Sequence, residues 1–440
     1  MLLINCTLVT NDAAQAVIKD GALLYRNQLI EDLGPVKDLL ARYPEEEKRD
    51  LGGKWLMPGM INAHTHIYSA YARGMAVSKP TRNFFEILEN LWWALDRKLA
   101  LEDARLNALT TMKESIRNGV TTIFDHHSSP HSARGSLFAL ADAGREIGIR
   151  GSYCYEVSDR DGDEIRHEEI AENVDFIRDC QSKKDDMTHG LFGMHASFTL
   201  SDKSMEEIKK AMAGIEEGYH IHVSEGIEDQ YDSLHKYGKR VLQRLFDWDI
   251  LGPRSLAIHC IHANGLEMDI LHETDTSVVH NPMSNMSNAC GTSPVVEMLR
   301  RGLRVGLGTD AYTNCMFESM KVAKILQSHS LVDPTVGFSQ ALALQFEGNP
   351  AICAKFFEHP LGVLKKGAYA DLITVDYHPY TPLTGQNWGG HVLFGLNGGL
   401  VQDVIINGKE VMRQRELLTI DEEKLDAESS QRAAQIWPQM

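Results

Sequence analysis

The sequence predicts an α/β protein, a (β/α)8 TIM barrel with a small composite β-sandwich domain formed by both chain ends. Two observations carry this prediction. In the middle of the chain, short apolar runs alternate with longer helical patterns, as expected of a parallel sheet. Segments rich in β-formers lie at both ends. We therefore expect a first part of the β domain in residues 1–57, a metal-dependent barrel in 58–363, and the second part of the β domain, with a C-terminal helix, in 364–440.

Three N-terminal segments have the alternation and turn residues of short strands: "LLINCTLVT", "GALLYRNQLIEDLG" and "KWLMPG". After about residue 363 this character returns in "GAYADLITVDY" and "VQDVIINGKEV". These later segments can pair with the N-terminal strands in one β domain. The last stretch, "DEEKLDAESSQRAAQIWPQM", has the pattern of a polar helix.

Eight segments of the central region are predicted barrel strands: "MINAHTH", "VTTIFDHH", "IRGSYCYEV", "HGLFGMHASF", "YHIHVSE", "SLAIHCIH", "SVVHNP" and "LRVGLGTD". Helical patterns such as "SMEEIKKAMAGIEEG" separate them. Nearly every one of these strands ends in His, Asp or Glu. Because barrel active sites lie at the carboxyl ends of the strands, this pattern indicates a catalytic barrel face.

The overall composition excludes several classes of partner. The 440 residues include 43% hydrophobic and 24% charged side chains, with a formal net charge of −17 at pH 7. Phosphate binding needs clusters of Lys and Arg, and none occurs, so we expect neither nucleic acid nor a membrane as a partner. No run of roughly 18 apolar residues predicts a membrane span, and the N-terminus lacks the basic region of a signal peptide. Seven scattered cysteines without a C-x-x-C pair favour free thiols in a reducing cytoplasm.

The first barrel strand contains the pair His64 and His66. Side chains two residues apart in a strand point to the same side, so the two imidazoles should converge. Two converging imidazoles can bind a metal ion, but they can also be ordinary buried histidines. The pair alone leaves both readings open.

Two further strand ends carry good metal ligands. His222, in "HIHVSE", ends the fifth strand, and Asp310, in "GLGTD", ends the eighth. Three imidazoles and one carboxylate suit a borderline metal such as zinc, with water completing the coordination. His220 has the same parity as His222 but lies deeper in its strand, so we expect it to be structural, with a competing ligand as the alternative.

The chain resembles the amidohydrolase superfamily, in the mononuclear branch that holds triazine hydrolases, guanine deaminases and adenosine-type deaminases. The matching motifs are "MPGMINAHTH", "HVSE", "HCIH", "HNPMSN", "LGTD" and "LKKGAYADLITVD". They occur in the right order between residue 57 and about residue 376. Among its members, "DHHSSP", "NLWWALDRKL" and "HNPMSNMSN" are most similar to the SsnA-type aminohydrolases.

The resemblance implies one divalent metal ion, zinc with iron as the alternative, held by His64, His66, His222 and Asp310. Binuclear relatives bridge two metals with a carboxylated lysine at the end of the fourth strand. Here that strand, "HGLFGMHASF", contains no lysine. We therefore expect a mononuclear centre.

The same resemblance assigns catalytic roles to three residues. Glu225, three residues beyond His222, would shuttle protons to a ring nitrogen or leaving group. His259, preferred here over His262, would orient the water or polarise the reacting carbon. Asp310 would act as ligand and base together.

Substrate contacts are assigned less directly. His195, at the end of the fourth strand, resembles a family substrate contact. His126 and His127 end the second strand, and we favour His126 slightly as the one that faces the substrate. A helical stripe from Phe84 to Leu99 is typical of a core, although Phe84 or Phe85 could stack on a planar ring.

These features predict a metal-dependent hydrolase that attacks a C–N bond of a planar nitrogen heterocycle with metal-activated water. The favoured activity is that of an aminohydrolase that releases ammonia from a purine- or pterin-like ring. A ring-opening hydrolase of a cyclic amide and a chlorohydrolase are the alternatives. A non-catalytic scaffold is disfavoured because the chain contains all four predicted metal ligands as well as Glu225 and His259. A homo-oligomer is expected from the family alone, and the sequence does not name the substrate.

Overall fold

The structure is a computed structural model that describes all 440 residues. Its eighteen strands are, in chain order, β1 Leu2–Val9, β2 Val17–Arg26, β3 Leu29–Pro35, β4 Lys48–Asp50, β5 Trp55–Pro58, β6 Met60–Thr65, β7 Val120–His127, β8 Arg150–Tyr155, β9 Thr188–Gly190, β10 Phe192–Ala196, β11 Tyr219–Val223, β12 Leu256–His259, β13 Ser277–His280, β14 Val305–Leu307, β15 Leu372–Val375, β16 Val401–Ile406, β17 Lys409–Arg413 and β18 Glu416–Leu417.

Seventeen α-helices alternate with or follow these strands. They are α1 Val36–Arg42, α2 Phe84–Ile87, α3 Trp93–Asp96, α4 Leu101–Arg117, α5 Ser136–Ile147, α6 Asp163–Lys183, α7 Asp202–Ala211, α8 Ile227–Tyr237, α9 Val241–Asp247, α10 Gly265–Glu273, α11 Pro282–Ser287, α12 Val295–Arg300, α13 Met316–Ser330, α14 Phe338–Ala343, α15 Asn349–Cys353, α16 Trp388–Gly395 and α17 Glu422–Ile436. A π-helical turn, Leu88–Trp92, joins α2 to α3.

Both chain ends contribute to one nine-stranded mixed sheet. Its order is β18-β17-β16-β15-β5-β1-β2-β3, with β4 paired to β1. The junction between the two ends is β15 against β5, antiparallel, with Leu372 opposite Pro58. The β-rich ends of the sequence therefore pair as predicted, whereas the exact domain boundaries stay predictions.

The central strands form two parallel sheets, β6-β7-β8-β9 and β10-β11-β12-β13-β14. Isolated parallel bridges join these sheets at both edges, Val157 with Met194 and Thr65 with Asp310. The strand series therefore closes on itself through β6, β7, β8, β10, β11, β12, β13 and β14. This is the order that the sequence predicts for the barrel, with the fourth strand divided into β9 and β10.

The barrel strands are buried along their whole length. All eight residues of Val120–His127 are buried, as are all six of Met60–Thr65. Parallel strands covered by helices are expected to show such continuous burial. Buried polar residues are concentrated at the carboxyl ends, which is where the site lies.

The Pro-Gly turn allows β6 to follow β5 directly. A Cβ atom at Gly59 would lie 2.2 Å from the Thr121 hydroxyl, so only glycine permits this approach to β7. None of the helices combines the length and the apolar character needed to cross a membrane. All seven cysteines are free and buried.

Candidate active site

Three strand ends bring the four predicted ligands together. His66 Nε2 lies 3.1 Å from His222 Nε2 and 3.7 Å from Asp310 Oδ1. The His64 ring centroid lies 4.8 Å from that of His66 and 5.2 Å from that of His222. One donor atom each of His64, His66 and Asp310 lie within 4.8 Å of one another.

In each of the three histidines, the ring nitrogen Nδ1 makes a polar contact with a neighbouring residue. His66 Nδ1 donates to the His126 carbonyl at 2.6 Å, and His222 Nδ1 donates to the His195 carbonyl at 2.9 Å. His64 Nδ1 lies 2.9 Å from His220 Nε2. Metal-binding histidines are commonly oriented by such contacts on the outer nitrogen. His220 therefore contacts a candidate ligand instead of joining the ligand group.

The group fits a divalent metal ion. His64 Nε2 is buried and has no hydrogen-bond partner, and the Nε2 atoms of His66 and His222 face each other with their protons on Nδ1. Burial lowers the pKa of His64, His66 and His222, which keeps these imidazoles neutral. Neutral imidazole nitrogens with one carboxylate oxygen are a donor set that zinc accepts.

Asp310 is fixed by close packing of the last barrel strand on the first. The backbone N–H groups of Thr309 and Asp310 both donate to the His64 carbonyl, at 2.9 and 3.0 Å. A Cβ atom at Gly308 would lie 2.8 Å from that carbonyl oxygen, so glycine is required there. Asp310 has a φ of 57°, and its Oδ1 accepts a 2.6 Å hydrogen bond from the Ala311 backbone.

Glu225 and His259 stand beside Asp310. His259 Nε2 lies 3.4 Å from Glu225 Oε2 and 3.4 Å from Asp310 Oδ2. Asn288 donates to Glu225 Oε1 at 3.1 Å. Burial raises the pKa of Glu225, which favours a carboxyl group able to hold and release a proton. The three groups form one continuous acid–base cluster.

Backbone strain occurs at this cluster. His259 has a φ of 69° and Cys260 a φ of 48°, both in the left-handed region. Non-glycine residues in this conformation are uncommon and concentrate at functional sites. His259 is also tied to Asn285, whose Oδ1 accepts from Nδ1 at 2.7 Å.

A cavity lies above the ligand group. Its apolar and aromatic lining includes Phe84, Leu88, Trp92 and Trp93. Its polar lining includes the ligands His66, His222 and Asp310 together with Glu225, Asn288, His195 and Glu156. An aromatic lining with a few polar groups suits a planar heterocycle.

A wider cleft of about 470 Å³ adjoins this cavity and shares His66, Asp310 and Trp92 with it. Arg73, Glu114 and Asn314 line it. Asn314 donates to Glu114 Oε2 at 2.9 Å. The cleft gives the ligand group a second, more open side.

The histidines considered as substrate contacts do not all lie on the cavity wall. His195 lines the cavity. His126 lies behind the ligands, with Nε2 3.1 Å from the His220 carbonyl, and is not on the cavity wall. His127 points to Ser129, at 3.0 Å, and is also off the wall. His262 belongs to neither the ligand group nor the cavity.

Sequence reasoning missed Glu156 and Asn288. Glu156 directly follows the third barrel strand and lines the cavity. Like the other site residues, Glu156 is a charged residue at the carboxyl end of a predicted barrel strand. The segment "YEV" therefore could have predicted it. Asn288 follows α11 and has no comparable signal, because its contact with Glu225 depends on how that helix packs.

The Amidohydrolase family matches residues 55–411. A 5-methylthioadenosine/S-adenosylhomocysteine deaminase of Caldanaerobacter subterraneus subsp. tengcongensis is 31% identical over 86% of each chain. A 5'-deoxyadenosine deaminase of Methanobrevibacter smithii is 29% identical over 96% of this chain and 95% of its own. An adenosine deaminase from Xanthomonas campestris, solved with bound zinc, superposes with a TM-score of 0.86 at 24% identity, covering 99% of this chain and 98% of its own.

Proposed function

The chain belongs to the amidohydrolase family and is a hydrolase acting on C–N bonds; we propose that it is a mononuclear metal-dependent aminohydrolase that deaminates a purine- or pterin-like ring. The observation that carries this proposal is that Glu225 lines the same cavity as the candidate ligands and contacts His259, which in turn lies 3.4 Å from Asp310. The two relatives described above are named as deaminases of adenine-containing compounds, which supports deamination over ring opening.

His64, His66, His222 and Asp310 would hold the metal ion, with zinc favoured and iron as the alternative. When bound, such an ion makes water acidic enough to serve as a nucleophile near neutral pH. The outer contacts of His66 and His222 hold their Nδ1 protons, so that Nε2 stays available as a ligand atom.

The acid–base cluster moves the protons of the reaction. Asp310 Oδ2 would accept a proton from the attacking water, and His259 Nε2 lies 3.4 Å from that oxygen. Glu225 carries a proton to the ring nitrogen beside the reacting carbon, which becomes tetrahedral. The proton held by Asp310 then passes to the amino group, the C–N bond breaks to release ammonia, and the hydroxyl proton of the tetrahedral carbon returns to Glu225 as the carbonyl forms.

The aromatic lining of the cavity positions the ring. Phe84 and Trp92 are 7% and 9% exposed and line the cavity. Their aromatic rings can stack on a planar ring and exclude bulk water. We assign His195 a substrate contact, and we assign His126 the support of His66.

The experiment that tests this proposal is a screen of zinc-loaded protein against free bases, nucleosides and pterins. Ammonia release and the change in ring ultraviolet absorbance are followed together. Deamination produces both signals in equal molar amounts, whereas ring opening changes the absorbance without ammonia. A homo-oligomeric state and a cytoplasmic location stay predictions from the sequence.

A further inference from the structure

The two carboxylate oxygens of Glu225 have different neighbours. Oε1 accepts a hydrogen bond from the Asn288 side-chain amide at 3.1 Å, whereas Oε2 lies 3.4 Å from His259 Nε2. In the proposed reaction Glu225 gives up a proton and takes one back. A proton carrier has to present the same oxygen in each cycle, so the contact that holds Oε1 determines which oxygen remains for the proton.

Asn288 reaches Glu225 from the end of helix α11. Its backbone N–H donates to the Ser284 carbonyl at 2.9 Å, and the residue is buried. The main chain is therefore fixed, but the shape of the side-chain amide does not fix its orientation. An amide has a donating and an accepting end of nearly equal size, so a half turn about its last bond exchanges Nδ2 and Oδ1. The turned amide would set Oδ1 against a carboxylate oxygen of Glu225, and the two acceptors would repel each other.

The Tyr312 hydroxyl determines which end of the amide faces Glu225. It donates to Asn288 Oδ1 at 2.5 Å, and a phenol keeps its proton near neutral pH. The Ser287 hydroxyl donates to the same phenol oxygen, which leaves the phenol proton for Asn288. Since Oδ1 is held by this donor, Nδ2 points to Glu225 Oε1. The three side chains therefore form one directed series, from Tyr312 through Asn288 to Glu225.

Tyr312 is itself placed by the last barrel strand and by packing. It lies two residues beyond Asp310, and its backbone N–H faces the Thr309 carbonyl at 3.4 Å. Its ring meets that of Trp92 edge-on, with the centroids 6.4 Å apart. The position of the hydroxyl therefore does not depend on Asn288. Tyr312 lines the wider cleft and not the cavity, so it does not touch a ring bound in the cavity.

We propose that Tyr312 and Asn288 are positioning residues that hold Oε1 of Glu225 and thereby keep Oε2 as the oxygen that carries the proton. The inference rests on the proposed function, in which Glu225 is the proton carrier. Oε2 is the oxygen next to His259, whose Nε2 also lies 3.4 Å from Asp310 Oδ2. Holding Oε1 therefore keeps the proton-carrying oxygen in the acid–base cluster.

Loss of the Tyr312 hydroxyl should release this series at its first member. In Tyr312→Phe the ring still packs on Trp92, but Asn288 can turn its amide, and Glu225 then lacks a donor on Oε1 in part of the molecules. Asn288→Leu keeps the branched shape and removes the donor entirely. Both variants should lower kcat and leave the zinc content unchanged, because neither residue is a candidate ligand.

The kinetic test is a double-variant cycle on zinc-loaded protein. We measure kcat and KM for wild type, Tyr312→Phe, Asn288→Leu and the double variant, with whichever of adenine, guanine, adenosine and pterin the wild type deaminates fastest. Tyr312→Phe should lower kcat about 3- to 30-fold and Asn288→Leu about 10- to 100-fold, with KM within about threefold of wild type. Tyr231→Phe removes a hydroxyl from an exposed tyrosine and should leave both constants unchanged.

The double variant distinguishes positioning from general support of the fold. If Tyr312 acts through Asn288, adding Tyr312→Phe to Asn288→Leu should lower kcat by less than about a further twofold. Multiplication of the two single effects, or a kcat of Tyr312→Phe equal to that of wild type, would overturn the inference. An effect confined to KM would also overturn it, since that result indicates a substrate contact.

Crystal structures of the zinc-loaded proteins supply a measurement that needs no substrate. Wild type should show Asn288 Nδ2 in contact with Glu225 Oε1, and Tyr312→Phe should show a second orientation of the Glu225 carboxyl group. A single, unchanged Glu225 orientation in Tyr312→Phe would overturn the inference even if kcat falls.

These results separate the inference from the proposed function. A displaced Glu225 in Tyr312→Phe, in a protein that releases no ammonia from any of the four compounds, would leave the positioning of Glu225 standing and contradict deamination of such rings. Ammonia release at equal kcat by wild type, Tyr312→Phe and Asn288→Leu would leave deamination standing and contradict the inference.

Discussion

Nδ1 of His259 donates a hydrogen bond to Oδ1 of Asn285 at 2.7 Å. This bond fixes the ring so that Nε2 faces both Glu225 and Asp310, each at 3.4 Å. Asn285 therefore sets the orientation of the His259 ring towards Glu225 and Asp310.

Asn285→Ala should lower kcat about 10- to 100-fold while leaving zinc content unchanged, because the His259 ring loses its orientation but no ligand is removed. Asn285 Nδ2 has no partner, so Asn285→Asp, which keeps the accepting oxygen, is the matched control and should retain most activity. Equal loss of activity in the two variants would contradict an orienting role for the Asn285 oxygen.

Replacing either His64 or His66 by alanine should sharply lower the zinc content and abolish turnover, since each removes one of four donors. Elemental analysis of the purified variants is the measurement. His127→Asn is a suitable control, because His127 is equally buried but points to Ser129. Full zinc occupancy in both alanine variants would show that the four-donor site is wrong.

Glu225→Gln should lower kcat by about 10²- to 10⁴-fold with normal zinc content, because glutamine keeps the Asn288 contact but cannot carry a proton. Asp310→Asn should lower both zinc content and kcat, since that carboxylate serves as ligand and base. If Glu225→Gln lost its metal or kept a near-normal kcat, the proton carrier would have to be sought at His259.

The metal-free protein should lose stability in acid through its buried histidines. Burial lowers the pKa of His127 to about 3, against an ordinary value near 6.5. Between these values the unfolded chain binds a proton that the folded chain does not, so stability is full above about pH 6.5 and falls as the pH drops towards 3.

Urea unfolding of the metal-free protein at pH 7 and pH 5 measures this loss. His127→Asn should reduce the slope of the free energy of unfolding against pH by about 1.4 kcal/mol per pH unit, the value for one proton. A slope unaltered by His127→Asn would contradict a neutral buried His127.

The fold and most of the site follow from simple sequence rules. The alternation of strands and helices gives the parallel series, and the two-residue period of a strand explains why His64 and His66 converge. The same period puts His126 and His127 on opposite sides of β7 but does not say which side faces the cavity. That choice depends on how the closed strand series packs: His126 lies inside but beneath the ligands, and His127 faces Ser129 and Tyr155.

The helical stripe between Phe84 and Leu99 shows a second limit. Its spacing predicts a core face, and Leu95 and Leu99 are indeed buried. Phe84 and Trp92, on the same stripe, instead cover the cavity. Apolar periodicity cannot distinguish packing against a core from packing against a binding site, because both bury the same side chains. The π-helical turn at Leu88–Trp92, a type of irregularity frequent at functional sites, is not visible in the sequence.

Zinc titration of the metal-free protein, with ammonia release followed on its best amino-heterocycle substrate, tests the central claim most directly. The donor set of His64, His66, His222 and Asp310, with no lysine in the fourth strand, predicts a linear rise in activity that ends at about one zinc ion per chain. Full activity in the metal-free protein, or a rise that continues to two ions per chain, would contradict a mononuclear metal-dependent aminohydrolase.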